Sequence, residues 1–189
     1  MTMCADVIER YTYDDYKEWE GDWELIDGTA YAMAPAPMIT HQGLASSFIG
    51  ELLSQVEECE ECDVLGEVDY KISDDTVVRP DVVLTCGEKN EVFLTKAPQI
   101  IVEIVSKSSA KRDEKHKFKL YESEKVPYYI LVYPTDLKAK IFKLDGKFYD
   151  KVGDFLSQKY KFEDLECDVE LDFERIFRRY RKRANSLSA

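Results

Sequence analysis

Ile100-Ile101-Val102-Glu103-Ile104-Val105 is the stretch on which the reading of this chain turns. Apart from Glu103, every residue in it is a β-branched aliphatic. A short continuous run of this kind fits a strand buried on both faces in the middle of a sheet. The exception carries the information. A carboxylate is almost never fully buried without a partner, so Glu103 must be paired, protonated, at an exposed sheet end, or holding a cation.

Upstream, Arg79-Pro80-Asp81-Val82-Val83-Leu84 enters a second short apolar strand and puts Asp81 at its start. Two carboxylates on neighbouring strands can share a hard, oxygen-seeking cation such as Mg²⁺. The same pair also fits a buried Glu salt-bridged to a lysine, with Asp81 in a turn; the two strands alone leave both readings open. Downstream, residues 107–119 carry Lys107, Lys111, Arg112, Lys115, Lys117 and Lys119 against Asp113 and Glu114, a net +4. Metal-bound carboxylates flanked by lysines are what phosphodiester hydrolysis needs. The metal acidifies a bound water, and the ammonium groups steady the water and the charged phosphate. A basic helix face that is only solvated needs no such function.

The remaining chain reads as strands and helices around these two. Thr12-Tyr13-Asp14-Asp15 resembles a capping box opening a short helix through Trp19. Residues 23–27 and 29–33 read as strands around Gly28, and Ala34-Pro35-Ala36-Pro37 breaks the pattern. Thr40 is placed to cap a helix to about Val56, with Leu44, Phe48, Leu52 and Val56 as its apolar stripe. Residues 64–72 read as one strand, 110–124 as a largely solvated helix, and 127–132 as a buried strand. Asp145-Gly146 marks a hairpin between 138–144 and 147–152, and 172–183 a basic helix with Phe173, Ile176, Phe177 and Tyr180 on one side. With no repeat or Pro/Gly-rich linker visible, residues 1–189 read as a single α/β domain, a central mixed sheet flanked by helices.

Charge at first argues against phosphate chemistry. The net charge is 26 − 38 = −12, and an acidic protein repels a phosphate backbone and an anionic membrane. The mean conceals an asymmetry: residues 1–70 hold 17 acids and 2 bases, net −15, whereas residues 71–189 hold 21 acids and 24 bases, net +3. The start has no basic and apolar leader pattern and no run approaches the ~20 apolar residues of a membrane span, so a cytoplasmic, membrane-free protein is the expectation. Five cysteines, an odd number, point to free thiols rather than a disulfide framework. Cys59 and Cys62 have CxxC spacing, but a zinc site needs a second pair or histidines. The plain reading is two small residues at a helix end and the following strand.

In order along the chain, Pro80-Asp81 followed by Glu103-Ile104-Val105-Ser106 resembles the PD-(D/E)xK nuclease superfamily. More closely, the chain is similar to the Uma-two family of restriction-endonuclease-like proteins. Its motifs here are Tyr13 with Tyr16, Trp23-Glu24-Leu25-Ile26-Asp27-Gly28, His41, Pro80-Asp81-Val82, 101–106, Asp113 with Lys117 and Tyr121, and 126–132. The resemblance implies a restriction-endonuclease-like core and a Mg²⁺ (or Mn²⁺) ion held by Asp81, Glu103 and the carbonyl of Ile104. The superfamily's lysine position is Val105. In the family resembled, Lys117 on the following helix is the matching basic residue, with Asp113 orienting it. Glu24 and His41 match further recurrent positions: Glu24 to complete a second metal site or orient water, His41 to contact phosphate or donate a proton. Glu51 is a further candidate. The terminal basic run from Arg175 to Arg183 fits contact with a nucleic-acid backbone, or snorkelling over the core, and reads first as charge pairing within the chain or across a dimer.

The leading expectation is a Mg²⁺-dependent endonuclease acting on DNA, with a homodimer expected by analogy. The alternatives are a non-catalytic nucleic-acid-binding or protein-interaction module on the same fold, and a metal-bound hydrolase of small phosphorylated substrates.

Overall fold

The computed structural model describes residues 9–33 and 38–187. Residues 1–8, Cys4 among them, and the Ala34–Pro37 break lie outside them. Thr12 opens α1 (Tyr13–Tyr16), with the Asp15 carboxylate accepting its N–H at 2.8 Å and its hydroxyl at 2.9 Å. The helix stops after one turn instead of reaching Trp19. β1 (Trp23–Ile26) and β2 (Thr29–Ala32) form a hairpin, and Asp27 and Gly28 both take positive φ, 49° and 71°. A tight two-residue hairpin turn requires that backbone. β4 (Tyr70–Ser73) and β5 (Thr76–Val78) complete a four-stranded sheet in the order β2-β1-β5-β4.

α2 (Ile39–Val56) follows, begun by Met38 without a side-chain cap rather than by Thr40. The segment expected as one strand over 64–72 divides into β3 (Cys62–Gly66) and β4, which belong to different sheets. The residues between them, 67–69, include Glu67 at φ 53°, a turn that loose alternation does not announce. β6 (Val82–Cys86), β7 (Ile100–Ile104), β8 (Tyr128–Tyr133), β9 (Lys138–Asp145) and β10 (Phe148–Phe155) join β3 in a six-stranded sheet ordered β10-β9-β8-β7-β6-β3. β7 and β8 run parallel and their neighbours antiparallel. A parallel pair needs a crossover packed on one face. Here it is a π-helical turn, Arg112–Lys117, running into α3 (Phe118–Ser123). A small pair, β11 (Lys159–Lys161) with β12 (Glu170–Asp172), leads into α4 (Phe173–Leu187).

The central sheet has an apolar layer on each face. One layer joins Leu44, Phe48 and Leu52 of α2 and Phe173, Ile176 and Phe177 of α4 to Val82, Leu84, Ile100, Val102 and Ile104. A Cβ on Gly43 would collide with the Tyr180 side chain, so the bare glycine lets α2 and α4 close together. The other layer joins Ile26, Tyr121 and Tyr129 to Val83 and Ile101. No described helix is long and apolar enough to cross a membrane.

Candidate active site

The strands bring the two central carboxylates together. Antiparallel pairing sets Val82 opposite Val102, so the next step outward puts Asp81 opposite Glu103. Side chains alternate across a sheet. Val83 and Ile101 lie in the second apolar layer, so Asp81 and Glu103 project to that same face. The Ile104 N–H donates to Asp81 Oδ2 at 2.5 Å, which holds the Asp81 carboxylate across the end of β7.

The crossover then returns a cation to this face. Lys117 Nζ lies 2.5 Å from Glu24 Oε1, 2.8 Å from Glu103 Oε1 and 3.9 Å from Asp113 Oδ1. Its side chain is 2% exposed, and Glu24 is 0%. A π-helical turn is wider than an α-turn and is frequent at functional sites. This one turns Asp113 and Lys117 inward, where the sequence pattern reads as a solvated face. The charged residues that do face solvent are Lys107, Lys111, Glu114, Lys115, His116 and Lys119. Glu24 reaches the site from the middle of β1. Its neighbour Leu25 packs in a separate cluster with Tyr16 and Val77, so Glu24 and Ile26 face the other way, toward the main sheet. Glu24 Oε1 also accepts the Arg79 N–H at 3.0 Å. Arg112 Nε lies 3.0 Å from Glu24 Oε2. The Tyr121 hydroxyl donates to Glu103 Oε1 at 3.0 Å, and the Tyr129 hydroxyl to the Asp113 carbonyl at 3.0 Å.

Negative charge is in excess here. Glu24, Asp81, Glu103 and Asp113 face Lys117 and Arg112, four acids to two bases. Burial pushes the Glu103 carboxyl well above the ordinary carboxylate range, and Lys117 counters this only in part. Burial likewise raises Asp113, again against the pull of Lys117. For Lys117, burial alone would favour the neutral amine. Glu103, Glu24 and Asp113 outweigh it and hold the pKa above the usual lysine value, so Lys117 is a fixed cation and not a base. His41, at the start of α2, sits with Nε2 3.4 Å from Asp81 Oδ2. Burial would lower its pKa, but hydrogen bonding and charge from Asp81, with the Ile104 carbonyl, raise it. His41 Nδ1 is buried without a hydrogen-bond partner.

Asp81, Glu103 and the Ile104 carbonyl make a hard oxygen donor set, and the surplus of two carboxylates matches the charge of one divalent ion. The residues therefore fit the Mg²⁺ or Mn²⁺ that the family resemblance implies.

Residues 12–172 match the Uma2 family, described as "Putative restriction endonuclease". The chain belongs to the Uma2 family. Its fold is similar to that of "a putative nuclease belonging to DUF820 from Anabaena variabilis", at a TM-score of 0.69 and 14% identity over 88% of this chain and 97% of that one. At that identity the likeness is one of fold. The DrdV–DNA complex aligns at a TM-score of 0.31 and 16% identity, over 60% of this chain and 12% of that one, too weakly to bear on function. No curated protein matches. The family and the fold together support a nuclease-like function.

All five residues expected to act in this Uma2 member (Glu24, His41, Asp81, Glu103 and Lys117) converge at one end of β6 and β7. Glu51 does not; it faces α4, with Arg175 3.5 Å away. The terminal basic run is partly spent on such pairs, Arg181 with Glu174 included. Val105 projects on the Glu103 face, where the superfamily's lysine would stand, and Lys117 supplies the ammonium from the crossover instead. The sequence reading missed Arg112 as a partner of Glu24, and Tyr121 as a donor to Glu103. Arg112 is visible in sequence only as one of six bases in a charged run, and its inward turn depends on the π-helical geometry.

Proposed function

We propose that this protein is a Mg²⁺-dependent endonuclease hydrolysing DNA phosphodiester bonds. The observation that carries the reading is Lys117 Nζ between Glu24 and Glu103, on the face that also holds Asp81. Asp81, Glu103 and the Ile104 carbonyl would hold the metal, which when bound lowers the pKa of a water and neutralises charge on the phosphoryl oxygens. Lys117 is a permanent donor, suited to orienting water or a phosphate oxygen but not to removing a proton. Glu24 fixes the ammonium from β1, and Arg112 in turn stands against Glu24. His41 is positioned on Asp81, partly exposed, as a titratable group beside the carboxylates. The exposed Lys107, Lys111, Lys115 and Lys119 give the crossover a basic surface for a phosphate backbone despite the acidic total. We infer a single domain over residues 1–189.

The second reading is a non-catalytic module. It is favoured by the engagement of Glu103 Oε1 with both Lys117 and Tyr121, which resembles a structural ion pair. The test is incubation of the purified chain with duplex DNA, single-stranded DNA and mononucleotides in Mg²⁺ or Mn²⁺, beside Asp81→Ala and Glu103→Ala. Cleavage of DNA that both substitutions abolish supports the proposal. Metal-independent binding without cleavage supports the module, and activity on mononucleotides alone supports a small-substrate hydrolase.

A further inference from the structure

The central sheet carries a second cluster of potential ligands at the other end of β6. Cys86 closes β6, and Cys62, opening β3, is its direct antiparallel partner. Cys59 lies between α2 and β3, and Cys167 in the loop before β12. The four residues thus come from three parts of the chain, 59–62, 86 and 167, which the fold brings together. Cys59 pairs with Cys167 and Cys62 with Cys86 as disulfides, a correction to the expectation of free thiols. The pairs are not separate bridges: Cys167 Sγ is 3.3 Å from Cys62 Sγ, and the sulfurs of Cys62, Cys86 and Cys167 all lie within 4.8 Å of one another.

We propose that, in the reduced protein, Cys59, Cys62, Cys86 and Cys167 form a structural zinc site. The second cysteine pair that the Cys59-x-x-Cys62 motif lacked in sequence is supplied by the fold. A tetrahedral Zn²⁺ with Zn–S near 2.3 Å holds its sulfurs about 3.8 Å apart, the spacing at which Cys62 and Cys167 already nearly stand. CxxC is the common spacing for two ligands of one such ion. Cys167 is only 6% exposed and Cys59, Cys62 and Cys86 are half-buried, as suits a closed structural site. A surface groove lined by Leu53, Glu57, Cys59, Glu60, Cys62 and Asp63 gives the ion an acidic entry path. Soft thiolates select Zn²⁺ over Mg²⁺, so this cluster does not compete for the metal of the carboxylate site. The bound ion would clasp the end of α2 and the β3–β6 edge to the loop that leads into α4.

Reduction and loading balance simply. Each disulfide with one phosphine and one water gives two thiols and one phosphine oxide. Zn²⁺ then displaces the four thiol protons as it forms four Zn–S bonds. The test uses the full chain reduced with a phosphine and titrated with Co²⁺ as a spectroscopic probe. The expected result is one equivalent bound with a thiolate-to-cobalt charge-transfer band and strong tetrahedral d–d absorption, lost stoichiometrically on adding Zn²⁺ but not in excess Mg²⁺. The band should survive in Cys4→Ser and Glu103→Ala and be lost in Cys62→Ser/Cys86→Ser. No charge-transfer band in the reduced wild-type chain overturns the proposal, and that titration needs no variant to fold. A band unchanged in the double variant overturns it too. Survival of the band in Glu103→Ala keeps this outcome separate from that of the nuclease reading.

Discussion

β6 connects two clusters of opposite chemistry. At its start Asp81 stands beside Glu103, Lys117 and His41: hard oxygen donors, buried charge, and an ammonium held on two carboxylates. At its end Cys86 meets Cys62 and Cys167, with Cys59 joined through Cys167: a cluster of soft sulfur donors. The five residues of the strand separate the ends by roughly 16 Å at the usual rise. The same strand geometry serves both, since antiparallel register puts Asp81 against Glu103 at one end and Cys86 against Cys62 at the other. The charged end holds an excess of negative charge that a divalent ion can relieve, as a reactive site does. The sulfur end ties distant segments together, as a structural site does.

The largest separation between the ends is expected from Lys117→Met. Removing it leaves Glu24 and Glu103 buried without their shared cation, and breaking a buried pair costs about 3–5 kcal/mol. Thermal unfolding should show that loss, and DNA cleavage should fall by at least about 10²-fold, the usual effect of deleting one donor to a developing charge. Retained stability would mean that Lys117 is not the counter-charge of this cluster.

Metal dependence should divide the ends next. In the reduced protein, Zn²⁺ at a hundredfold excess over its Kd stabilises the fold by about 2.7 kcal/mol. For a chain of this size that raises Tm by roughly 5–10 °C. Differential scanning calorimetry should show this rise with Zn²⁺ in wild type and in Glu103→Ala, and no rise in Cys62→Ser/Cys86→Ser. A rise that follows Glu103 instead would merge the two sites.

Arg112→Gln is a milder probe of the charged end. Arg112 is 17% exposed and its Nε stands 3.0 Å from one oxygen of Glu24 without a hydrogen bond to it, so about 1 kcal/mol is expected in urea unfolding. Cleavage should fall by less than for Lys117→Met. An equal or larger loss would make Arg112 the principal cation.

The smallest effect lies beyond the sulfur end, where the Glu88 carboxylate accepts backbone N–H groups of Lys89, Asn90, Thr95 and Lys96. Partial burial opposes ionisation there, but those four N–H groups prevail and bring its pKa down to about 2. A depressed carboxyl pKa adds stability above the unfolded value near 4.5, lost as pH falls toward 2. Glu88→Gln should therefore cost under about 1 kcal/mol at pH 7, given solvent screening, and less as the medium is acidified through that window. Denaturant unfolding at pH 7 and pH 3 measures it.

The two ends also differ in how far the sequence announces them. Glu103 stands out because a charged residue interrupts an apolar run, and Asp81 because it heads the next such strand. Lys117 is legible only through the family resemblance, which singles out Asp113, Lys117 and Tyr121; the charge pattern alone reads as a solvated helix. Glu24 comes from a separate sheet, and local sequence does not show that β1 turns it toward the crossover. At the sulfur end, Cys59 and Cys62 are visible as a motif, but Cys86 arrives through strand register and Cys167 through a loop far along the chain. The break between β3 and β4 escapes the pattern because loose alternation continues through the turn at Glu67. The α4 face of Phe173, Ile176, Phe177 and Tyr180 is read directly, since helical periodicity alone defines it.

The central claim, that the carboxylate end of β6 is a metal-dependent nuclease centre, is tested most directly by nicking of supercoiled plasmid in Mg²⁺ by wild type and Glu103→Gln. The substitution keeps shape and removes the charge. Nicking by wild type that chelator stops and Glu103→Gln lacks, with the variant still folded, is the predicted result. Wild-type protein that binds the plasmid and leaves it intact in both Mg²⁺ and Mn²⁺, or a Glu103→Gln variant that nicks as fast as wild type, would contradict it.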